Sequence, residues 1–210
     1  MARVLLRLLV AAIALLLSCG GDRANARSPH LEAISVAPDF RAPDETGKVR
    51  TLSEFRRHPV VLYFYPKDGT PGCTREACAF RDAWDQLQRD GARVVGVSVD
   101  SVESHAAFKK AHRLPFPLLS DEDGTVLAAY GVPRSPQGYA ARTTFVIDSQ
   151  GMIRRIFPEV DPALHLSEVL SVLDQLKAEG RDVDALAVSG AAYELRARLA
   201  WLKEVRTYYA

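Results

Sequence analysis

Residues 66–73 (PKDGTPGC) are the part of this chain best suited to covalent chemistry. They follow an apolar run of β-prone residues, 60–65 (VVLYFY), which predicts a buried strand. Thr70 is a preferred residue at a helix N-cap, and Pro71 suits the first helical position, where its missing N–H costs no hydrogen bond. The sequence therefore predicts a strand, an exposed turn and a helix that holds Cys73 in its first turn.

The first turn of a helix is a favourable place for a reactive cysteine. Its backbone N–H groups have no partners within the helix, and the positive end of the helix dipole favours an anion. Both effects stabilise the thiolate, which is the nucleophilic form of cysteine. We therefore expect Cys73 to act as a nucleophile.

The pattern Pro-x-x-x-Thr-x-x-Cys at residues 66–73 resembles the peroxidatic motif of the peroxiredoxins. The wider segment 63–78 (YFYPKDGTPGCTREAC) resembles the peroxiredoxin Q, or bacterioferritin-comigratory, branch of that family. Shorter matches lie at residues 37–40 (APDF), 119–121 (LSD) and 142–148 (RTTFVID). The resemblance covers about residues 33–178 and implies a thiol peroxidase that needs no metal, haem or flavin.

Five residues acquire roles from this resemblance. Cys73 is expected to attack the distal oxygen of hydrogen peroxide or an alkyl hydroperoxide and to become a sulfenic acid. Thr70 Oγ is expected to hydrogen-bond the thiolate and the peroxide, and the backbone N–H groups of Gly72 and Cys73 to hold the peroxide oxygens. Pro66 would shield the site, and Arg142 would stabilise the thiolate and orient the peroxide. The plain alternatives are Thr70 as a helix cap alone and Arg142 in a surface ion pair.

Cys78 is the candidate resolving cysteine, which would condense with the sulfenic acid to a disulfide that a thioredoxin-like dithiol protein reduces. On one regular helix, residues five apart have Cα atoms roughly 8.6 Å apart, whereas a disulfide needs about 4.4–6.8 Å. The start of the helix must therefore unwind before the bond forms. Two alternatives stay open, a permanent structural disulfide and a metal site, although no Cys or His cluster offers the remaining ligands at the usual spacing.

Other polar residues are expected to have ordinary surface roles. His105 and His112, on one predicted helix, are expected to be solvated, and residues 121–123 (DED) to form a solvated acidic turn rather than a metal site. Two other functions stay open, a thioredoxin-type thiol–disulfide oxidoreductase and a catalytically silent binding lipoprotein. The first would want Cys-x-x-Cys and a proline where Thr143 stands, and the sequence has neither.

The elements predicted around these residues alternate in type along the chain. Four segments have the composition and periodicity of β-strands, at residues 60–65, 94–99, 145–147 and 152–157. Four others have helical periodicity with start or stop signals, at residues 74–89, 103–112, 123–130 and 162–178. This order favours an α/β fold with a mixed central sheet flanked by helices, which the resemblance sharpens to a thioredoxin-like fold with an extra C-terminal helix.

The N-terminal residues have the pattern of an export signal. Two arginines precede an apolar run, residues 8–17, which is too short to span a bilayer but suits a signal-peptide core. Residues 16–19 (LLSC) resemble a bacterial lipobox, which predicts cleavage before Cys19 and lipidation of that cysteine. The alternative is ordinary cleavage after Ala26, which would give a soluble periplasmic or secreted protein.

We therefore divide the chain into a signal peptide (1–18), a polar tether (19–32), one thioredoxin-like domain (33–178) and a C-terminal helical extension (179–210). The extension is expected to dock on its own domain, with a dimer, membrane or partner contact as alternatives. The predicted location is the bacterial cell envelope, with a lipid anchor and the domain facing the periplasm or the exterior. The formal net charge of +1 over 210 residues argues against a nucleic-acid partner. We expect a monomer or a weak dimer.

Overall fold

A mixed five-stranded sheet forms the centre of the computed structural model, which describes residues 35–181. A separate antiparallel pair precedes it, and all the strands in chain order are β1 Arg41–Pro43, β2 Val49–Thr51, β3 Val60–Phe64, β4 Arg93–Ser98, β5 Leu118–Ser120, β6 Thr143–Ile147 and β7 Ile153–Pro158. The sheet order is β5-β4-β3-β6-β7, in which β3, β4 and β5 are parallel. β6 and β7 run antiparallel to their neighbours, so the predicted mixed sheet is confirmed.

Within residues 35–181, five helices accompany the sheet, namely α1 Pro71–Asp82, α2 Trp84–Arg89, α3 Val102–His112, α4 Thr125–Ala129 and α5 His165–Ala178, with a short 3₁₀ helix at Leu52–Phe55. The helix predicted over residues 74–89 is in fact two helices, which are separated at Ala83. α5 begins three residues later than predicted, because the Asp161 carboxylate accepts a hydrogen bond from Ala163 N (2.9 Å) in a turn before the helix. The predicted thioredoxin-like α/β architecture is confirmed.

The central strand β3 is buried along its whole length and faces a hydrophobic core on each side. Leu62 and Phe64 point into one core, where the Phe64 ring lies 5.8 Å from that of Phe145. Tyr63 points into the other, where its ring lies 5.2 Å from that of Phe80 on α1. Burying each of these large side chains contributes about 1.5–3 kcal/mol. This packing holds α1 against β3.

Two of the predicted surface residues are buried. His105 is fully buried and not solvated, while His112 is half-buried. Asp121 is also buried, because its carboxylate accepts backbone hydrogen bonds from Val126 (2.9 Å) and Leu127 (2.8 Å) at the start of α4. Burial raises the pKa of Asp121. The neighbouring acidic residues, 122 and 123, are exposed as predicted.

Several predictions concern residues outside the described range. The signal peptide, Cys19, the tether and nearly all of the C-terminal extension lie there. Within residues 35–181, no helix has the length and apolar character needed to cross a bilayer.

Candidate active site

The loop between β3 and α1 places the start of the helix at the carboxyl end of the central strand β3. Thr70 is the N-cap of α1, and its carbonyl accepts the first helical hydrogen bond from Thr74 N (2.9 Å). Its hydroxyl does not cap the helix but donates to the Lys67 carbonyl (3.0 Å). A hydroxyl has one proton to donate, so in this arrangement Thr70 Oγ cannot also donate to the thiolate, as the sequence analysis expected, although it can still accept from a peroxide.

Cys73 lies in the first turn of α1, where the sequence places it, but it is 1% exposed and not on an open turn. The reason is that α1 packs on the core face that contains Tyr63 and Phe80, and Cys73 belongs to that core. A buried sulfur can react only with a small molecule that reaches it, and the neighbours of the sulfur determine its reactivity.

Arg142 reaches the Cys73 sulfur from the sheet. It directly precedes β6, which pairs with β3, and its Nη2 lies 3.1 Å from Cys73 Sγ. The Arg142 side chain is only 18% exposed, so its charge is weakly screened by water. A guanidinium this close is placed to donate a charge-assisted hydrogen bond to the sulfur. The structure thus brings together Cys73 and Arg142, which are 69 residues apart in the chain.

Glu76 is a third member of this cluster that the sequence analysis missed. Its Oε2 accepts a 2.6 Å hydrogen bond from Arg142 Nη1, and its side chain is 1% exposed. Burial raises the pKa of Glu76 to about 7, although the Arg142 guanidinium acts in the opposite direction. Glu76 lies one helical turn after Cys73, and that spacing of three residues was the signal that could have identified it.

Gly72 lets the guanidinium come this close to the helix. A Cβ at this position would lie 2.7 Å from Arg142 Nη2, which is shorter than any normal contact. A side chain at this position would therefore have to displace the Arg142 guanidinium, although the backbone conformation itself would accept one. Pro66 is half-buried at the beginning of the loop.

Cys78 lies on the same helix as Cys73 and is half-buried. Both cysteines are free thiols in the structure, so a disulfide between them is not part of this folded form. The Cys78 sulfur lies 4.0 Å from His112 Nδ1 on α3. The two cysteines therefore have different ionisable neighbours, Arg142 and Glu76 in one case and His112 in the other.

A buried hydrogen-bond network holds the loop before α1 against α3 and β5. The Asp68 carboxylate accepts from Tyr65 O–H (2.7 Å) and from Ser104 O–H (2.8 Å). It also faces His105 Nδ1 (2.8 Å), whose other ring nitrogen lies 3.1 Å from the Leu119 carbonyl. Both ring nitrogens of His105 therefore face oxygen acceptors within the buried network. Burial acts to raise the pKa of Asp68, but His105, Tyr65 and Ser104 outweigh it and lower that pKa.

The arrangement as a whole can stabilise and use a thiolate. It offers a cysteine sulfur in a first helical turn, a guanidinium in contact with it, and an acid that fixes the guanidinium. Among residues 35–181, no group of three or more His, Cys, Asp and Glu side chains is placed to hold a metal ion. The chemistry that these residues support is attack by sulfur on a small electrophile.

Comparisons of the family model, the sequence and the structure with known proteins all find members of the same family. The model of the AhpC/TSA family matches residues 35–156. Peroxiredoxin Q, chloroplastic, of Sedum lineare is 46% identical over 145 residues, which cover 68% of this chain and 78% of the relative. Peroxidoxin BcpB from Mycobacterium tuberculosis has a similar structure, with 39% identity and a TM-score of 0.67 over 70% of this chain and 99% of that one. The bacterioferritin comigratory protein of Xanthomonas campestris, studied for its alkyl peroxide reduction activity, has 32% identity and a TM-score of 0.62 over 65% of this chain and 90% of that one.

Proposed function

The chain belongs to the AhpC/TSA family, in its peroxiredoxin Q or bacterioferritin-comigratory branch, and from this premise we propose that Cys73 is the peroxidatic cysteine of a thiol-dependent peroxidase. The observation that carries the assignment is the 3.1 Å contact between Arg142 Nη2 and Cys73 Sγ in the first turn of α1. The substrates are hydrogen peroxide and alkyl hydroperoxides. The alkyl peroxide reduction activity of the Xanthomonas campestris relative supports the second class.

The first step is a displacement at oxygen. The Cys73 thiolate attacks the distal oxygen of the peroxide, the S–O bond forms and the O–O bond breaks. Cys73 becomes a sulfenic acid, and the leaving oxygen takes up a proton as water or an alcohol. Arg142 stabilises the thiolate before the attack and the negative charge on the leaving oxygen during it. The backbone N–H groups of Gly72 and Cys73 hold the peroxide, and Thr70 Oγ accepts its O–H. Pro66 shields the site from water.

The second step returns the enzyme to a form that a reductant can use. Cys78 condenses with the Cys73 sulfenic acid, and a thioredoxin-like dithiol protein reduces the resulting disulfide. Both cysteines lie on one regular helix in the thiol form, so this step requires local unwinding of α1. The cycle needs no metal, haem or flavin.

Peroxide consumption by the purified domain with dithiothreitol tests the assignment. We expect Cys73→Ser to abolish peroxide reduction, because only Cys73 makes the first attack. Cys78→Ser should still complete one rapid turnover and leave a sulfenic acid that a trapping reagent labels. Equal first-turnover rates in Cys73→Ser and the wild type would remove Cys73 from the reaction. A thioredoxin-type oxidoreductase would instead reduce protein disulfides without consuming peroxide.

We further propose that the domain is tethered to the bacterial cell envelope by lipid on Cys19, facing the periplasm or the exterior. The lipobox-like residues 16–19 (LLSC) directly follow the apolar segment and support this assignment. The number of cysteines supports it too, because the chain has three and the redox pair uses two. In this proposal residues 1–18 are the signal peptide, 19–32 the tether, 33–178 the catalytic domain and 179–210 a helical extension.

A further inference from the structure

The Cys78 sulfur lies between α1, which carries it, and the end of α3, and side chains from both helices contact this region. His112 is the last residue of α3, and its ring makes an edge contact with Phe108, with 5.0 Å between ring centroids. Its Nδ1 lies 4.0 Å from Cys78 Sγ. Arg81, one turn after Cys78 on α1, donates from Nη1 to the His112 carbonyl (2.9 Å). The ring and the backbone of His112 are therefore both held in place beside the sulfur.

The groups near Cys78 include two that can carry a positive charge, Arg81 and His112. The pKa of Arg81 is raised, mainly by its hydrogen bond to Asp82 and also by Cys78, which places the guanidinium within electrostatic reach of the sulfur. A protonated His112 would add a second positive charge at the C-terminal end of α3, where the helix dipole also favours a cation. Tyr63 also interacts with Cys78, and burial raises the pKa of Tyr63 well above its usual value, so it stays uncharged at neutral pH.

We propose that His112 is a catalytic residue of the resolving step, in which its Nδ1 accepts the Cys78 thiol proton while Arg81 holds His112 in position. This inference rests on the proposed peroxidase function and assigns residues to its second half. Cysteine is a much better nucleophile as a thiolate, and an adjacent imidazole is a common means of forming one.

The proposed step balances in atoms and electrons. The proton moves from Cys78 Sγ to His112 Nδ1, and the thiolate attacks the sulfur of the Cys73 sulfenic acid. The S–S bond forms, the S–O bond breaks, and the hydroxide that leaves takes up one proton as water, which restores neutral His112. Cys78 is oxidised to the disulfide level, and the oxidising equivalent is the one that the peroxide delivered to Cys73.

The contact also fixes the order of events. His112 faces Cys78 while α1 is folded, so proton removal occurs in the folded helix, before the unwinding that brings the two sulfurs together. Arg81 remains tied to α3 on the far side of Cys78. The segment that moves is therefore the part of α1 that precedes Arg81.

Stopped-flow kinetics with hydrogen peroxide separates the two steps. We would measure the rate of sulfenic acid formation and the rate of disulfide formation. For the second rate, free thiols are alkylated at each time point and the disulfide fraction is determined by mass spectrometry of the intact protein. His112→Asn keeps a polar atom near the Nδ1 position but has no basic nitrogen. We expect it to lower the ratio of the second rate constant to the first by at least about tenfold. Lys110→Gln, an exposed change on the same helix, should leave the ratio unaltered.

A second measurement tests the base directly. In the Cys73→Ser background, the alkylation of Cys78 by iodoacetamide reports its thiolate fraction as pH is varied. We expect His112→Asn to slow alkylation at neutral pH and to move the alkylation profile to higher pH, which a purely structural role of His112 would not do. An unchanged ratio together with an unchanged alkylation profile would overturn the role of His112. Absence of a peroxide-dependent first phase in the wild type would instead overturn the proposed function itself.

Discussion

At the scale of single residues, one guanidinium contacts both ionisable groups of the peroxide site. Arg142 approaches Cys73 Sγ at 3.1 Å with one nitrogen and Glu76 at 2.6 Å with the other. The planar fork of arginine makes two such contacts at once, which a lysine ammonium cannot reproduce. Glu76 therefore acts as a positioning residue, because it determines where the positive charge lies relative to the sulfur.

Substitution of Gly72 tests this positioning without removing any charged group. We expect Gly72→Ala to slow peroxide attack at least about tenfold, or about 1.4 kcal/mol, because the new Cβ would lie 2.7 Å from Arg142 Nη2 and must displace it. Alanine favours helix more than glycine does, so any fall in the free energy of unfolding should come from the displaced contact between Arg142 and Glu76. First-turnover kinetics and urea unfolding measure the two effects. Arg75→Ala, an exposed change on the same turn, is the control, and an equal loss of rate there would contradict the steric account.

Glu76 should also give the fold a measurable pH dependence. Its pKa rises from 4.5 to about 7 on burial, so the folded chain binds its proton more readily than the unfolded chain does. The contribution of Glu76 to the free energy of unfolding is therefore largest below pH 4.5 and decreases as pH rises to 7, by up to about 3 kcal/mol. We expect urea unfolding to show this decrease in the wild type relative to Glu76→Gln. Parallel pH profiles of the two proteins would show that Glu76 is not protonated more readily in the fold.

At the scale of secondary-structure elements, the loop before α1 is held by a buried carboxylate–imidazole pair. Asp68 on that loop and His105 on α3 are 2.8 Å apart and largely shielded from water. We expect Asp68→Asn to reduce the free energy of unfolding by about 3–5 kcal/mol, because it breaks a buried carboxylate–imidazole pair and replaces one carboxylate oxygen with an N–H donor among groups that need an acceptor. Urea unfolding measures the loss. Asp85→Asn, an exposed change, should alter stability by less than about 0.5 kcal/mol, and a similar small effect of Asp68→Asn would contradict the role of this pair.

The movement of α1 makes a second prediction at this scale. Oxidation to the disulfide should speed hydrogen exchange at residues 72–80, because the bond cannot form across an intact helix. Protection should persist in α2, for example at Leu87 N, which donates to the Ala83 carbonyl (3.0 Å), because Arg81 keeps the following segment against α3. Dithiothreitol should restore the slow exchange. A disulfide form with undiminished protection at residues 72–80 would exclude unwinding.

The helices and strands could be predicted where residues close together in the sequence determine them. β3 and β4 follow from apolar runs, and the start of α1 from Thr70 and Pro71. The break between α1 and α2 could not be predicted, because it falls at Ala83 and alanine has the highest helix propensity of the amino acids. β5 was also missed, because three residues are too few to show a period.

The candidate site shows the same division between local and distant causes. Cys73 and its place in the first helical turn could be predicted from its neighbours in the chain. The burial of His105 depends on a partner 37 residues away, which a local pattern cannot reveal. The position of Arg142 could be expected only through resemblance, whereas Glu76 had a local signal in its helical spacing.

At the scale of the whole molecule, the lipid anchor makes a prediction about cell fractions. We expect the wild-type protein to sediment with membranes, because the diacylglyceryl and N-acyl chains that a lipidated Cys19 would carry are enough for stable anchoring. Cys19→Ala should release the protein or leave it uncleaved. Immunoblots of fractions and the mass of the mature protein measure this. A mature N-terminus at Arg27 without lipid would show that ordinary cleavage after Ala26 occurs.

Because both free thiols lie on one folded helix, the stability of that helix also limits the peroxide concentration at which the enzyme stays active. In the proposed cycle, unwinding of α1 is a first-order process that does not depend on the peroxide concentration. Attack of a second peroxide molecule on the waiting sulfenic acid gives sulfinic acid, and its rate grows in proportion to concentration. The two rates are equal at one concentration, above which molecules are inactivated faster than they are recycled. A more stable α1 lowers that threshold and a less stable one raises it, so the strength of a single helix determines the range of oxidant in which the enzyme can work.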